Sequence, residues 1–401
     1  MAAAQEFTGM VLTAGGARGA YQAGVLKRVG EIPSLRGKPS PFQIFAGASA
    51  GAINGAGLAA GAEDFYSSTQ FIARLWENIK TNDVYRTDLL SMGGLVAIWM
   101  KDLSFGGIFG GGRAQSLLDF SPLRKYLDDN LKLDRIDARI KEGHLYALAI
   151  TATNYYSGKS YTFIQGKENH PVWEKSRRLA LATQLCVDHI WASAAIPMVF
   201  QPILLKTELG DFYFGDGGLR LVTPLSPAIR LGANKVFAIG IRGQKLAEDR
   251  ARDDLISFQK NRAIMRRPPP AQVIGVVLNS IFLDHLDTDV EHMIRINEIV
   301  QQINTNKIAI QMKEPLRTVT PFIITPSEDL AKIAFEHSDR MPKVIRYFME
   351  GLGTSKTESA DLMSYLLFEP PYTRALIDLG YRDAAAKVDE IEHFLRAPTP
   401  T

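Results

Sequence analysis

The stretch "GMVLTAGGARGAYQAGVL", residues 9–26, decides how the N-terminal part of this chain folds. Its apolar run "GMVLTA" is followed directly by glycines, which is typical of a buried β-strand that ends in a tight loop. The segment "AYQAGVLKRVGEI" then has apolar residues at helical spacing. A strand, a glycine-rich loop and a helix in this order leave backbone N–H groups unshielded at the helix N-terminus. Such groups favour a negatively charged partner, either a phosphate or a transient oxyanion.

The same order of elements repeats in the next part of the chain. "PFQIFAGAS" at residues 41–49 predicts a second strand, and "AGAINGAGLAAG" at residues 50–61 predicts a helix whose small residues allow close approach to the sheet. Strands separated by helices pair in parallel, which predicts a layered α/β architecture. The glycine loop and residue 49 therefore belong to the same carboxyl edge of the sheet, where α/β proteins build their sites.

The rest of the chain continues this mixture of helices and strands. Residues 65–142 are predicted to be mainly helical, apart from the segment "SMGGLVAIWMKDLSFGGIFGGG" at 91–112. Two interpretations of that segment stay open: a loop that tucks its apolar residues into the core, or a mobile apolar flap near a lipid site. Later patterns predict two strands joined at Ser157-Gly158, a helix over 176–197, the strand and turn "DFYFGDGGL" at 211–219 and a strand at 235–243. An exposed basic and proline-rich segment is predicted at 260–272, followed by a long amphipathic helix or helix pair over 271–303. The last part of the chain is predicted to contain a strand at 318–326 and helices beyond it.

Composition bounds the class of protein. The chain has 401 residues, of which 46% are hydrophobic and 22% charged, enough apolar material for a large globular core. A formal net charge of +3 argues against a dedicated nucleic-acid binder. The single cysteine, Cys186, excludes an intrachain disulfide, and we expect it to be buried. No apolar run reaches 18 residues, and the N-terminus has no basic region before its apolar run, so we expect a cytoplasmic protein. Export without a cleaved leader stays open.

The pentapeptide "GASAG", Gly47 to Gly51, matches the pattern G-x-S-x-G at a predicted strand-to-helix turn. This is the setting in which a nucleophilic serine is exposed on a tight turn, and the flanking glycines permit that turn around Ser49. The helix N-terminus that follows favours developing negative charge. The alternative interpretation, a glycine-rich packing turn, stays open on these residues alone.

A nucleophilic serine also needs a base, and the sequence offers two kinds of candidate. The late histidines His285, His337 and His393 lie in amphipathic helical segments, where a structural or solvated histidine is the simpler interpretation. In "FGDGGL", Asp216 follows an aromatic strand and is flanked by glycines. Nucleotide binding is disfavoured, because the opening loop lacks G-K-[ST] and the second strand ends in Ser49 where a dinucleotide fold has an acidic residue.

Taken in order, these stretches resemble the patatin-like phospholipase family of lipid acyl hydrolases. The family pattern is G-G-G-x-R/K-G, then G-x-S-x-G, then D-G-G/A. The corresponding stretches here are "AGGARG" (14–19), "GASAG" (47–51) and "DGG" (216–218), and "ASAAIP" (192–197) and "SPLRKYL" (121–127) also look family-like. The resemblance covers residues 8–245 well and is looser over the C-terminal helices. Ala14 stands where the family has its first glycine.

The resemblance implies a three-layer α/β/α fold with a mostly parallel sheet, a catalytic domain over 1–325 and a helical extension over 326–401. It implies that Ser49 is the nucleophile and Asp216 the general base of a dyad without histidine. It also assigns supporting roles to glycine-rich positions, namely an oxyanion hole formed or supported by Gly15, Gly16, Ala17, Arg18 and Gly19, a nucleophile elbow flanked by Gly47 and Gly51, and a base motif completed by Gly217 and Gly218. Whether the Arg18 charge acts on the oxyanion or only braces the loop stays open.

By the same resemblance the substrate is a phospholipid or another acyl lipid, cleaved through an acyl-enzyme with no metal or organic cofactor. Peripheral contact with a membrane is open, and "RAIMRR" (262–267) either meets anionic head groups or is simply solvated. "DHLDTDVEH" (284–292) predicts a helix with a solvated acidic face rather than a metal site. The alternatives are a general carboxylesterase on soluble esters, or a non-catalytic lipid-binding or interaction protein on the same fold.

Overall fold

The computed structural model describes residues 6–87, 118–243, 256, 285–306, 316–343, 345–346 and 360–398. The glycine-rich segment at 91–112, the basic segment at 260–272 and the first part of the helix predicted from 271 lie outside the described residues. Within the described residues, five short 3₁₀ turns accompany the strands and helices, at Gly16–Arg18, Pro33–Leu35, Leu133–Arg135, Gly217–Leu219 and Ser338–Arg340.

Ten strands lie in the described part of the chain. They are β1 (Phe7–Leu12), β2 (Ile44–Ala48), β3 (Ala147–Asn154), β4 (Ser160–Gly166), β5 (Glu174–Lys175), β6 (Arg178–Ala182), β7 (Ile203–Thr207), β8 (Gly210–Gly215), β9 (Ala233–Ile239) and β10 (Thr320–Ile324).

The described part of the chain also contains thirteen α-helices. They are α1 (Gly19–Gly30), α2 (Ala50–Ala60), α3 (Phe65–Asn78), α4 (Thr81–Val84), α5 (Ser121–Asn130), α6 (Ile136–Lys141), α7 (Val187–Ser193), α8 (Ser226–Arg230), α9 (His285–Thr305), α10 (Leu330–Glu336), α11 (Ala360–Leu366), α12 (Pro370–Ala386) and α13 (Val388–Arg396).

All ten strands join one sheet, and eight of them follow the order β10-β9-β1-β2-β3-β4-β6-β5. The five strands from β10 to β3 are parallel, whereas β4 runs antiparallel to β3. The hairpin of β7 and β8 is attached to the end of β3, where Thr153 pairs with Gly215. The predicted α/β class with a mostly parallel sheet is therefore confirmed, and so is the strand–helix–strand–helix order at the N-terminus.

Helices cover both faces of this sheet. Successive residues of a strand point to opposite faces: Met10 and Leu12 belong to a large core shared with α1, α2 and α3, and Val11 belongs to a second core shared with α8 and α9. In the register of β1 and β2, Leu12 pairs with Gly47. The loop after β1 and the turn after β2 thus emerge side by side at the carboxyl edge of the sheet.

The C-terminal helices pack directly on the N-terminal unit. A Cβ at Gly24 of α1 would lie 2.0 Å from the carbonyl oxygen of Ile377, and a Cβ at Gly380 of α12 would lie 2.2 Å from that of Tyr21. Only glycine at these positions allows the two helix backbones to approach so closely. The Tyr21 hydroxyl also donates to the Asp383 carboxylate at 3.0 Å.

The prediction of a single helix over 176–197 is wrong. The first part of this segment contains strand β6, which pairs in parallel with β4, and only α7 in its second part is helical. Leu and Ala favour a helix in isolation, but pairing with a buried strand outweighs that preference. Cys186 is exposed at the N-cap of α7, so the expectation of a buried cysteine is also wrong. Among the described helices, none is both long and apolar enough to cross a membrane.

Candidate active site

Ser49 occupies the turn between β2 and α2 in a conformation that non-glycine residues rarely adopt. Its backbone angles are φ 54° and ψ −125°, and its side chain is only 1% exposed. A positive φ in a residue with a Cβ is strained, and such strain persists only where the surroundings enforce it. Here the Ser49 amide donates a hydrogen bond to the Ser193 hydroxyl at 2.9 Å.

The two glycines that flank Ser49 are required by packing. A Cβ at Gly47 would lie 2.3 Å from the carbonyl oxygen of Gly51, and a Cβ at Gly51 would lie 2.1 Å from that of Leu12. The turn therefore folds back on itself and presses α2 against the end of β1. The G-x-S-x-G spacing is a steric requirement of this turn.

Asp216 follows β8 and is completely buried. Its Oδ1 accepts a hydrogen bond from the Gly218 amide at 2.8 Å, and its backbone is held by the Thr153 hydroxyl, which donates to the Asp216 carbonyl at 2.8 Å. A Cβ at Gly217 would lie 2.0 Å from the carbonyl oxygen of Thr151, so only glycine fits beside the aspartate. The D-G-G motif thus fixes one carboxylate oxygen and leaves the other, Oδ2, available.

Burial raises the pKa of Asp216 to about 7, and hydrogen bonding from the Ser49 hydroxyl and the Gly218 amide opposes this rise. The Ser49 hydroxyl is thus close enough to stabilise the charged carboxylate. Oδ2 nevertheless has no hydrogen-bond partner of full geometry among the described residues. Hydrogen bonds between catalytic groups are often poorly aligned in substrate-free sites and tighten when substrate binds. A carboxyl group with a pKa near 7 is well matched to accepting a proton from a hydroxyl group.

The glycine-rich loop lies beside this pair. Gly16, which has a φ of +52°, lines the same cavity as Ser49. The Arg18 amide donates to the Gly15 carbonyl at 3.1 Å and closes the 3₁₀ turn that leads into α1 at Gly19. The amides of Gly16 and Ala17 precede that bond and have no partner within the turn, as at any helix N-terminus. The structure therefore brings the loop, Ser49 and Asp216 to one edge of the sheet.

The Arg18 side chain contacts three residues of α11. Its Nε donates to the Ser364 hydroxyl at 2.8 Å, and its Nη2 forms an ion pair with Asp361 at 3.1 Å. The guanidinium also stacks over the Tyr365 ring, with its carbon 4.3 Å from the ring centre. Of the two roles left open by the sequence, the contacts of this buried side chain match that of a brace between the loop and α11.

Behind the glycine-rich loop lies a buried polar network that the sequence did not predict. The Trp76 indole donates to the Asn54 side chain at 2.6 Å, and the Asn54 amide donates to the Gly19 carbonyl at 3.2 Å and to Gln22 Oε1 at 3.0 Å. Gln22 in turn donates to the Thr13 carbonyl at 2.9 Å. The signal in the sequence is a single amide side chain on each helix, Gln22 within the apolar first part of α1 and Asn54 within the otherwise apolar α2.

A narrow, mostly apolar cavity opens onto Ser49. Its volume is about 20 Å³, the room of roughly one water molecule. Its described lining consists of Gly16, Ser49, Ala50, Ile53, Trp76, Ile79, Val84, Phe120, Leu123, Ala194, Ile196, Phe200 and Phe368. An acyl chain would find apolar and aromatic walls here, but its binding requires these side chains to move.

Other residues singled out in the sequence lie elsewhere. His337 lies beside the Tyr372 ring, and His393 lines a separate cleft with Phe322. In the described part of the chain there is no cluster of three or more potential metal ligands. α9 buries Leu286 and Met293, and its acidic face, which the sequence predicted to be solvated, is partly buried. The Asp289 carboxylate accepts a hydrogen bond from the Leu225 amide at 2.8 Å, and burial raises its pKa to about 6.

Comparison with known proteins identifies the family. The family model described as "Patatin-like phospholipase" matches residues 10–229, more than half of the chain. The chain therefore belongs to the patatin-like phospholipase family, which places it among lipid-hydrolysing esterases. No curated protein matches the sequence.

Two bacterial proteins of known structure align with most of the chain at low identity. VipD from Legionella pneumophila shares 13% identity over 93% of this chain and 67% of its own, with a TM-score of 0.33. Full-length ExoU in complex with SpcU, from the type III secretion system of Pseudomonas aeruginosa, shares 13% identity over 97% of this chain and 80% of the matched chain, with a TM-score of 0.26.

Proposed function

We propose that this protein is a lipid acyl hydrolase of the phospholipase A or lysophospholipase type, with Ser49 as nucleophile and Asp216 as its base. The observation that carries the proposal is the pairing of a strained, buried serine with a fully buried carboxyl group whose pKa is raised to about 7. Family membership supports the lipid substrate. The apolar cavity at Ser49 supports an acyl chain as the group that is bound.

The first half of the reaction transfers the acyl group to the serine. Asp216 Oδ2 takes the proton of the Ser49 hydroxyl as Oγ bonds to the ester carbonyl carbon. The oxyanion that forms on the carbonyl oxygen meets the amides of Gly16 and Ala17, which are oriented before the reaction starts. The ester C–O bond then breaks, and protonated Asp216 returns its proton to the leaving alcohol or lysolipid oxygen.

The second half releases the fatty acid. A water molecule gives a proton to Asp216 and attacks the acyl-enzyme carbonyl carbon. The bond to Ser49 Oγ then breaks, and the proton returns to Oγ, which restores the free serine. Asp216 thus acts as base and then acid in both halves, and a pKa near neutrality suits both directions of proton transfer.

Mass spectrometry of the products from a phosphatidylcholine with two different acyl chains tests the proposal. The wild type is expected to release free fatty acid and lysolipid. Ser49→Ala and Asp216→Asn are each expected to lower turnover at least 1,000-fold. The two residues act as a unit, so removing either one also removes the contribution of the other.

Two surface variants serve as matched controls: Ser176→Ala and Asp134→Asn, both at exposed positions. They are expected to retain wild-type turnover. Substantial hydrolysis by Ser49→Ala, or equal losses in the two controls, would contradict the assignment of the dyad.

A further inference from the structure

The β7–β8 hairpin exposes large apolar side chains on its outer face and at its tip, whereas Ile203, Leu205 and Phe214 on its inner face are buried. Leu204 and Tyr213 are directly opposite each other in the antiparallel register and are 47% and 51% exposed. On the other face, the Tyr156 ring stacks on Phe212 with 5.8 Å between ring centres and is 87% exposed. Leu209, in the turn at the tip, is also exposed. We refer to Leu204, Leu209 and Tyr213 as the apolar hairpin.

Both ends of this hairpin are fixed at the candidate active site. Phe200, three residues before β7, lines the cavity at Ser49, and β8 ends at Gly215, directly before Asp216. A Cβ at Gly215 would lie 2.1 Å from the Tyr155 hydroxyl, so the Tyr155 side chain packs closely over the base of the hairpin. A surface that bound the hairpin would therefore lie close to the candidate active site.

Charge and side-chain chemistry indicate what covers the apolar hairpin. Between Leu204 and Tyr213 the charged residues are Lys206, Glu208 and Asp211, a formal sum of −1. Attraction to anionic lipid is therefore not expected, and apolar burial must supply the affinity. Tyrosine has an apolar body and a polar tip, the combination found at the boundary between lipid chains and water.

We propose that the apolar hairpin docks on the surface of a lipid bilayer and presents the site at Ser49 and Asp216 to lipid held there. The proposal deepens the proposed function, since it names the physical state in which substrate reaches the site. Docking replaces water around Leu204, Leu209 and Tyr213 by lipid and leaves the dyad itself unchanged. Bilayer binding is consequently separable from ester cleavage.

Flotation with neutral phosphatidylcholine vesicles measures the docking, in a Ser49→Ala background that prevents hydrolysis. The double variant Leu204→Ser/Tyr213→Ser is expected to lower the vesicle partition coefficient at least tenfold. The matched control is Ile294→Ser/Ile299→Ser on α9, whose side chains are 44% and 52% exposed and lie on another element. The control is expected to bind vesicles as the parent does. Raising the salt concentration from about 0.1 to about 0.5 M is expected to leave the vesicle binding of the parent and of the control unchanged.

A second readout separates docking from catalysis. With Ser49 restored, the hairpin variant is expected to lose at least tenfold in hydrolysis of vesicle lipid and to keep wild-type turnover of a soluble short-chain ester. If the wild type cleaves neither substrate, the proposed function fails, while flotation still tests the docking. The single variant Leu209→Ser, in the exposed turn between the hairpin strands, carries the test if the double variant does not fold.

Three outcomes would overturn the docking proposal. The first is vesicle binding by the hairpin variant equal to that of its parent. The second is an equal loss in the α9 control. The third is a wild-type dimer in sedimentation equilibrium that the hairpin variant converts to a monomer, which would make a second copy of the chain the occupant.

Discussion

The hydroxyl of Ser193 joins the strained serine to the strand beside it: it accepts a hydrogen bond from the Ser49 amide at 2.9 Å and donates one to the Thr151 carbonyl at 2.6 Å. Ser193 is completely buried at the end of α7. Because the Ser49 conformation is unfavourable on its own, this pair of hydrogen bonds helps to hold the serine in place. The segment "ASAAIP" therefore contributes to the turn at Ser49 through its serine.

Ser193→Ala is expected to lower kcat/KM for a soluble ester at least tenfold. It leaves the Ser49 amide and the Thr151 carbonyl without this partner, and a buried unsatisfied group costs about 1–3 kcal/mol. Steady-state kinetics and thermal unfolding check this together. The buried Ser68, which donates to the Phe65 carbonyl at 3.0 Å, provides the matched Ser68→Ala control. Equal kinetics in Ser193→Ala and Ser68→Ala would show that Ser193 does not position the nucleophile.

The pH dependence of kcat/KM is expected to follow the ionisation of Asp216. Its pKa is raised to about 7, and only the charged carboxylate accepts a proton from Ser49. Activity on a soluble ester is therefore expected to fall about tenfold for each pH unit below about 6 and to level off above about 8. A profile that stays flat down to pH 5 would exclude Asp216 as the base with this pKa.

Folding stability is expected to depend on pH through the same residue. A carboxyl group whose pKa rises from 3.8 to about 7 on folding stabilises the native state fully below pH 4, and this contribution is lost as the pH rises to about 7. At about 1.4 kcal/mol for each pKa unit, the loss approaches roughly 4 kcal/mol. Asp216→Asn is therefore expected to be more stable than wild type at pH 8 and nearly equal to it at pH 4. Denaturant unfolding at both pH values measures this. An equal difference in unfolding free energy between the variant and the wild type at pH 4 and at pH 8 would contradict the prediction.

Gly16→Ala is expected to abolish activity through a steric conflict. Gly16 has a φ of +52°, and a Cβ there would lie 2.5 Å from the Tyr365 carbonyl oxygen. Gly37 has a similar φ of +64°, but a Cβ there would meet nothing within 4 Å. Gly37→Ala therefore carries the same backbone strain, about 1 kcal/mol, without the conflict. We expect at least a hundredfold loss of kcat only in Gly16→Ala; similar kinetics for both variants would count against the loop as the oxyanion site.

Arg18→Met and Ser364→Ala are expected to affect activity through one shared contact. If Arg18 acts as a brace, each variant loosens the loop, and the double variant loses less than the sum of the single losses. A double-mutant cycle on kcat/KM is expected to give a coupling of about 1–3 kcal/mol. A large loss in Arg18→Met with wild-type kinetics in Ser364→Ala would instead indicate that the charge acts on the reaction directly.

The sequence was sufficient for those parts of the fold that are fixed by local pattern. The alternation of apolar runs with glycine loops predicted β1, α1, β2 and α2, because a buried parallel strand and its crossover helix each have a distinct composition. The same reasoning failed at β6. "RLALA" has no local feature that separates a strand from a helix, and its pairing with β4 is a long-range contact.

For the candidate site, the sequence indicated the three glycine-containing stretches but not the contacts that hold them. The hydrogen bond between Ser193 and Ser49 joins residues 144 positions apart, and that between Arg18 and Ser364 joins residues 346 positions apart. No pattern within one segment encodes such distances. The raised pKa of Asp216 is likewise a consequence of burial by several elements and cannot be read from "FGDGGL".

Intact-protein and peptide mass spectrometry after reaction with a fluorophosphonate tests the central claim most directly. The wild type is expected to gain one adduct, on Ser49. Ser49→Ala is expected to gain none, and Asp216→Asn is expected to react at least a hundredfold more slowly. An adduct on another residue, or an unlabelled Ser49 in a protein that still hydrolyses lipid, would contradict the claim that Ser49 and Asp216 form the catalytic pair.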